Sequence, residues 1–467
     1  MTPDGWLWGT VATDVAVASY ADDDALAARQ RQRLARLLAS AKERSPFYGR
    51  VLQGRNCEHV RLGDLPVAHK AELMHHFDEW VADPAIRLRE LRRFVADPRR
   101  IAEPYLGSYL VWESSGSSGE PCIFVQDDLA LAVFDALEAI RRPMLRPARR
   151  LFDPWGWGEQ IAFVGATGGH FASTVSIERL RRLNPALAQR LRCISFMQPV
   201  DAMVEAIDAM APSVIATYPS AAVLLAGERL HGRMRTVPRE LWTGGENLCP
   251  AKRAFIQHAF HCAVADSYGA SEFLSLAFEC ERGSLHLNSD WAILEAVDER
   301  QRPVPRGETG ATVLLTNLAN HLQPLIRYDL GDRVSLRAQG CACGSRLPVI
   351  DVEGRCEDTL CIEGDGAASV QLLPLALSTA IEDGAGLFDF QLVQQGPREL
   401  LMRTGLQGGE GEQALRKAHR ALSDFLRAQG VTGVQIECRV GEPGMAGRSG
   451  KVPRVVGAGA ASALIAP

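Results

Sequence analysis

Four short apolar runs, IAFV from Ile161, SVIATY from Ser213, ELWTGG from Glu240 and AVADSYG from Ala263, alternate with amphipathic stretches such as VDAMVEAIDAM and CPAKRAFIQHAF. Short runs of this kind, bounded by turn residues, suit strands buried on both faces, and a strand–helix–strand repeat brings each strand back parallel to the last. The expected fold is therefore α/β, with layered helices on a largely parallel sheet. Ahead of it, Asp22 to Arg44 spaces Leu26, Leu34, Leu37 and Leu38 at helical period until SPFY interrupts. After Asn288 the alternation gives way to closely spaced strand runs, WAILEAVD, ATVLLTNL and LIRYDLGDRVSL. Beyond GRCED at Gly354, the segments LPLALSTAIED, FQLVQQ, ELLMRT, a helix from Glu412 to Gln429, and VQIECRV read as a compact αββαβ unit. The expected organisation is an N-terminal core over 1–354, with a β-rich subdomain at about 280–354, and a small α+β C-terminal lid domain over 355–467.

With 467 residues, 46% hydrophobic and 23% charged, the chain has apolar material for more than one core. A net charge of -5 gives no global attraction to nucleic acid or to an anionic membrane. Local basic clusters start at Arg29, Arg141 and Arg179; most such runs are solvated helix faces, and the rest dock acidic partners. Eleven irregularly scattered cysteines, and an N-terminus without a basic segment ahead of an apolar one, support neither a disulfide framework nor a signal peptide. A cytoplasmic location with reduced thiols is expected. The longest apolar stretch, from Ser213, is about 15 residues with Pro219 inside it, short of the ~20 needed for a membrane span.

The stretch WESSGSSGEP at 112–121 lies between two strand-like segments, SYLVWE and CIFVQ, and is expected to be a hairpin loop inside the α/β part. Consecutive Gly and Ser let backbone N–H groups converge on one point, with hydroxyls as further donors, which suits a polyphosphate. The loop lacks the Gly-Lys-Ser/Thr of a Walker loop and leads into a strand, so a plain flexible turn is the alternative. A second constellation is Cys280, His286, Cys341 and Cys343: three thiols and an imidazole make a full tetrahedral set for structural Zn²⁺, with unpaired buried cysteines as the alternative.

The sequence resembles the adenylate-forming ligase superfamily, and within it the phenylacetate–coenzyme A ligase branch. The resemblance rests on SSGSSGEP from Ser114, DSYGASE from Asp266, RYDLGD from Arg327 and the hinge signature GRCED from Gly354. Branch-specific stretches agree: SPFYGRVL near Ser45, LPVAHKAEL near Leu65, PSVIATYPS near Pro212 and WTGGEN near Trp242. The resemblance implies a large N-terminal domain with a mobile C-terminal lid. It also implies a two-step reaction, in which a carboxylate attacks the α-phosphate of ATP to give an acyl-adenylate and a thiol then displaces AMP.

By similarity, Ser114, Ser115, Gly116, Ser117, Ser118 and Gly119 would hold the phosphates and Glu272 would help bind Mg²⁺. Tyr268 and Gly269 would lie against adenine, Asp266 with Gly244, Gly245 and Glu246 would line its site, and Asp332 would accept from the ribose hydroxyls. Arg327 and Arg355 would be cations near the nucleotide and hinge, with a structural ion pair as the alternative for either, and Glu357 and Asp358 would flank the pivot. Lys451, on the Gly-rich MAGRSGKVPRVV, would bridge the attacking carboxylate and the α-phosphate, unless that stretch is a solvated basic tail. The clearest departure is Glu120, where the family's phosphate loop usually carries lysine. Trp155, Trp157, Phe163 and Tyr218 would wall the acyl pocket or else be core residues, and an aryl acid such as a hydroxybenzoate or phenylacetate is the expected substrate. Coenzyme A is the expected acceptor. The alternatives are the phosphopantetheine of an acyl carrier protein, docked on the basic clusters near Arg141 and Arg179, and a nucleotide- and zinc-binding scaffold without turnover. The assembly to test is a homodimer.

Overall fold

The computed structural model describes residues 5–114, 121–142, 145, 159–353, 359–364, 369–445 and 453–457. A hairpin of β1 (Leu110–Glu113) and β2 (Ile123–Gln126) comes first, pairing Glu113 with Ile123. Its two strands flank the serine-rich stretch, as the apolar runs on either side predict. The next strands are β3 (Ile161–Gly165), β4 (Leu191–Ser195), β5 (Val214–Thr217), β6 (Glu240–Gly244) and β7 (Ala263–Ala270). These five pair in parallel, in the order β7-β6-β5-β3-β4. The expected α/β layering is thus present. The sequence reading passed over β4, whose RCIS carries an exposed arginine among apolar residues and hides the strand pattern.

The parallel block is one part of a nine-stranded sheet. From β7 it continues antiparallel through β8 (Phe273–Glu279), β9 (Leu285–Leu287), β14 (Val349–Glu353) and β13 (Arg333–Leu336). Residues 280–354 therefore do not form one separate β-rich unit. Hydrogen bonding of β9 and β14 to the main sheet divides them, leaving β10 (Ala292–Val297), β11 (Thr312–Asn317) and β12 (Tyr328–Asp329) as a three-stranded sheet.

Helices pack on one apolar face of the parallel block. Ala162, Val164, Ile215, Leu241 and Val264 point to one face and join a core with the helices Pro219–Leu230 and Pro250–Phe260. The same continuous core takes in Leu377, Ile381 and Leu422 from the C-terminal helices Pro374–Ala385 and Gly408–Ala428, so the C-terminal part is docked on this face. Its four-stranded sheet runs β19-β18-β17-β20 (Gln435–Val440, Glu399–Thr404, Gln391–Gly396, Val455–Val456), and a further hairpin of β15 (Leu360–Glu363) and β16 (Ser369–Leu372) precedes it.

A second core joins the N-terminal helices to the first hairpin and to Leu318, Leu322, Leu325 and Ile326. The predicted helix near 22–44 runs Asp23–Arg44, started by an Asp22 carboxylate accepting from Ala25 N at 2.8 Å. Ser45 ends it and caps the next turn, which begins at Pro46. Among the described residues no helix is long and apolar enough to cross a membrane.

Candidate active site

In open α/β sheets, ligands bind beyond the carboxyl ends of the parallel strands, where loops diverge and backbone groups are free. Here β5 ends at Thr217–Tyr218, β6 runs into Gly244–Gly245–Glu246, and β7 carries Ser267–Tyr268–Gly269; all line one cleft of about 1350 Å³. Ser114, Asp266, Glu272, Asp332, Phe163 and Tyr218 line it too. Residues far apart in sequence are thus brought together.

The nucleotide candidates are held by local bonds. Tyr268 donates its hydroxyl to Asp332 Oδ2 at 2.9 Å. Asp266 accepts from Thr243 Oγ1 at 2.7 Å, and burial pushes its carboxyl up to about 7. Gly245 has φ +79°, a left-handed conformation, and an added Cβ would lie 2.8 Å from the Tyr218 ring, so the backbone here can pass close to the ring only as glycine. Glu246 lines the cleft but uses both oxygens on Ser220, from its N–H and its hydroxyl at 2.8 Å each, capping the helix that follows β5. Its first effect is to fix Tyr218 at the head of that helix.

Glu272 lies at the far side of the β7–β8 turn, where burial raises its carboxyl above the ordinary range while a Tyr328 hydroxyl bond opposes the shift. Ser114 closes the base of the serine-rich loop: its N–H donates to Cys122 O and its Oγ accepts from Cys122 N, both at 2.9 Å. Ser115, Gly116, Ser117, Ser118, Gly119 and Glu120 lie outside the described residues, as do Trp155, Trp157, Arg355, Glu357, Asp358 and Lys451.

Arg327 departs from the nucleotide-side expectation. It does not line the cleft; it is buried with φ +50°, its Nε on Glu295 at 3.2 Å and an NH1 on the Leu65 carbonyl at 2.5 Å. The alternative named for it, a structural ion pair, is what the packing gives. In two of the basic clusters the first residue is internal: Arg141 is buried against Asp290, Asn288 and Ser19, and Arg179 makes two 2.9 Å bonds to Asp135.

Several lining residues went unassigned in the sequence. Trp242 stands in register with Ala216 on β5, and Ala216 with Phe163 on β3, so these three side chains share one sheet face beside Tyr218. The Arg142 guanidinium lies over the Trp242 ring at 4.2 Å. Glu113, at the end of β1, is pushed up to about 7 by burial and by Asp383 of the C-terminal helix. Lys70 lines the cleft from LPVAHKAEL, a stretch whose only signal was its likeness to the branch.

The four metal-ligand candidates converge at the other end of β8. Their ligand atoms all lie within 4.8 Å of one another. Cys280 and Cys341 sulfurs are 3.7 Å apart, and Cys343 Sγ is 3.3 Å from His286 Nε2. Bonds of ~2.3 Å to sulfur and ~2.0 Å to nitrogen in a tetrahedron give edges of about 3.5–3.8 Å, close to these separations. His286 Nδ1 faces the Leu347 carbonyl at 2.9 Å, an arrangement that directs Nε2 into the cluster. The donor set and its spacing fit a zinc ion.

A cleft at the strand ends, ringed by these motifs and abutted by a small α+β unit, has the fold of the solved adenylate-forming ligases it resembles. The structure resembles that of 2-hydroxyisobutyryl-CoA ligase, solved with 2-HIB-AMP and CoA in the thioesterification state (TM-score 0.57, 21% identity, 94% of this chain and 91% of that one). The open conformation of the same ligase matches with TM-score 0.50 and 21% identity, over 91% of this chain and 90% of that one. By sequence the chain is 27% identical over 373 residues to the phenylacetate-coenzyme A ligase of Thermus thermophilus, 76% of this chain and 75% of that protein. No protein-family model matches the chain.

The buried Asp266 gives a pH prediction. Its folded-state pKa of about 7 lies above the unfolded value of 3.8, so the folded state holds the proton more tightly. Stability is therefore lost as pH rises from about 4 to about 7 and is level above that. Asp266→Asn, which cannot ionise, is expected to match wild type near pH 4 and to be more stable by on the order of 4 kcal/mol at pH 8. Thermal unfolding of nucleotide-free protein across this range checks it; a variant less stable than wild type at pH 8 contradicts it.

Proposed function

We propose that the protein is an ATP-dependent, AMP-forming acid–thiol ligase that adenylates an aromatic carboxylic acid, hydroxybenzoate- or phenylacetate-like, and transfers the acyl group to coenzyme A. The observation that carries this reading is the convergence in one cleft of Ser114, Tyr268, Glu272 and Asp332 with an aromatic wall of Phe163, Tyr218 and Trp242. In the first step a carboxylate oxygen attacks the α-phosphorus and the bond to pyrophosphate breaks. In the second the thiol sulfur attacks the acyl carbon, losing its proton, and AMP leaves with the bonding pair. Both reactants of the first step are anions, so the site must supply positive charge and fixed donors.

Glu272 would hold Mg²⁺, which neutralises phosphate charge when bound. Tyr268 and Asp332 would orient the nucleoside, and Lys451 would bridge the two reacting groups. Cys280, His286, Cys341 and Cys343 would hold a structural Zn²⁺; a full ligand set leaves no position for reactive water.

Coenzyme A is favoured over a carrier protein as acceptor because the sequence relative is a phenylacetate-coenzyme A ligase. Pyrophosphate exchange across a panel of aryl acids is the test, with Lys451→Ala as control. Exchange with at least one aryl acid is expected, falling by about 10²–10³ in the variant. ATP binding without exchange on any acid would favour the non-catalytic scaffold.

A further inference from the structure

The aromatic wall of the cleft carries two hydroxyls that no step of the proposed reaction uses. Tyr218 directly follows β5, and its ring is held in place. Gly245 passes so close that a Cβ there would stand 2.8 Å from the ring, Phe196 packs on it edge-on with centroids 5.8 Å apart, and Glu246 ties down the start of the next helix at Ser220. The hydroxyl therefore has a set position. The helix Ala172–Leu183 supplies the second one: its Thr174 hydroxyl donates to the Ala166 carbonyl, while the neighbouring Ser173 lines the cleft. Ser173 Oγ and Tyr218 Oη lie 3.4 Å apart.

That separation is slack, because a good O–H···O bond spans about 2.5–3.0 Å. Bonding capacity is left on both oxygens, since a phenol offers one donor and an acceptor, and a serine one donor and two lone pairs. Ser176, one turn further along the same helix face, also lines the cleft and is only 7% exposed. Beside these hydroxyls the wall is largely apolar, with Phe163, Ala216 and Trp242 on one sheet face. An unsubstituted ring laid there would take the hydroxyls from water and give them no partner, and unpaired buried polar groups are costly. A ring hydroxyl accepts from one and donates to the other. Desolvation raises the Tyr218 phenol above its ordinary range, so it stays protonated at neutral pH and able to donate.

Resting on the ligase reading, we propose that the substrate is a hydroxylated aryl acid, and that Ser173 and Tyr218 are specificity-determining residues that pair with its ring hydroxyl. A benzoate or phenylacetate without that hydroxyl is then the disfavoured acid.

Pyrophosphate exchange on full-length protein tests this with benzoate, phenylacetate and the monohydroxybenzoates, in wild type, Tyr218→Phe and Ser173→Ala. Wild type is expected to prefer at least one hydroxylated isomer to benzoate by about 10²-fold or more in kcat/KM, because a site built around a substrate hydroxyl rejects the analogue lacking it. Each variant should cut that preference at least about tenfold. Tyr218→Phe keeps the ring that packs on Gly245 and Phe196, so it tests the hydroxyl even if the serine variant folds poorly. Wild-type use of an unhydroxylated acid as readily as every hydroxybenzoate overturns the inference and leaves the ligase reading intact. So does an equal loss on both kinds of acid in folded variants, which would mean that the pair holds the carboxylate. Exchange with none of the acids overturns the ligase reading and this inference with it.

Discussion

Gly269→Ala is expected to lose about 2–4 kcal/mol of stability and to weaken Mg-ATP binding at least tenfold. A Cβ at this position would stand 1.8 Å from the Leu274 carbonyl oxygen and 2.8 Å from its carbon. These are backbone atoms, so no rotamer change relieves the overlap. The register between β7 and β8 is interrupted here, Tyr268 pairing with Ala277 and Ala270 with Phe273. Opening that turn displaces Tyr268 from its bond to Asp332 on one side and Glu272 on the other. Gly63→Ala serves as the control, since an added Cβ there meets nothing within 4 Å. Thermal unfolding and calorimetry on both variants decide the matter; a Gly269→Ala protein with wild-type melting and nucleotide affinity would refute the account of the turn.

What was legible in the sequence follows from the range of the forces involved. Strands β3, β5 and β6 were readable because most of their residues are buried, and β7 because it opens on the buried pair Val264–Ala265. Strand β4 was not, because Arg192 is exposed and breaks its apolar run. The cleft residues at the strand ends were found through ordered motifs, since Tyr268, Glu272 and Asp332 lie in stretches that resemble the family. Arg327 sits in such a motif too, but its role depends on Glu295 and Leu65, partners 32 and 262 positions away in sequence. No local pattern distinguishes an arginine that meets phosphate from one that holds a carbonyl. Lys70 was missed for the converse reason: a lysine opening a polar helix looks like surface until Ala68 is paired with Tyr328. The division of residues 280–354 between two sheets was also hidden, because strand composition does not specify the neighbouring strand.

Purified, unchelated protein is expected to carry one zinc per chain, and stripping it or introducing Cys343→Ser to cost several kcal/mol of stability with a smaller effect on Mg-ATP affinity. The local strand pairing at this corner is weak. β9 meets β14 through two residue pairs only, Val349 with His286 and Ile350 with Leu285. Sulfurs 3.7 Å apart are far beyond the ~2.05 Å of a disulfide, so covalent cross-linking does not hold this corner. Binding one ion to Cys280 and His286 on one side and to Cys341 and Cys343 on the other would join the β8–β9 turn to the segment between β13 and β14. None of the four lines the cleft, so their loss should loosen the far end of the sheet before it reaches the nucleotide. Elemental analysis, together with melting curves before and after chelation, checks both halves. Clearly less than one zinc per chain, or a chelated protein that melts as before, would mean that the thiols pack together without a metal and that hydrogen bonding and burial alone hold β9 in place.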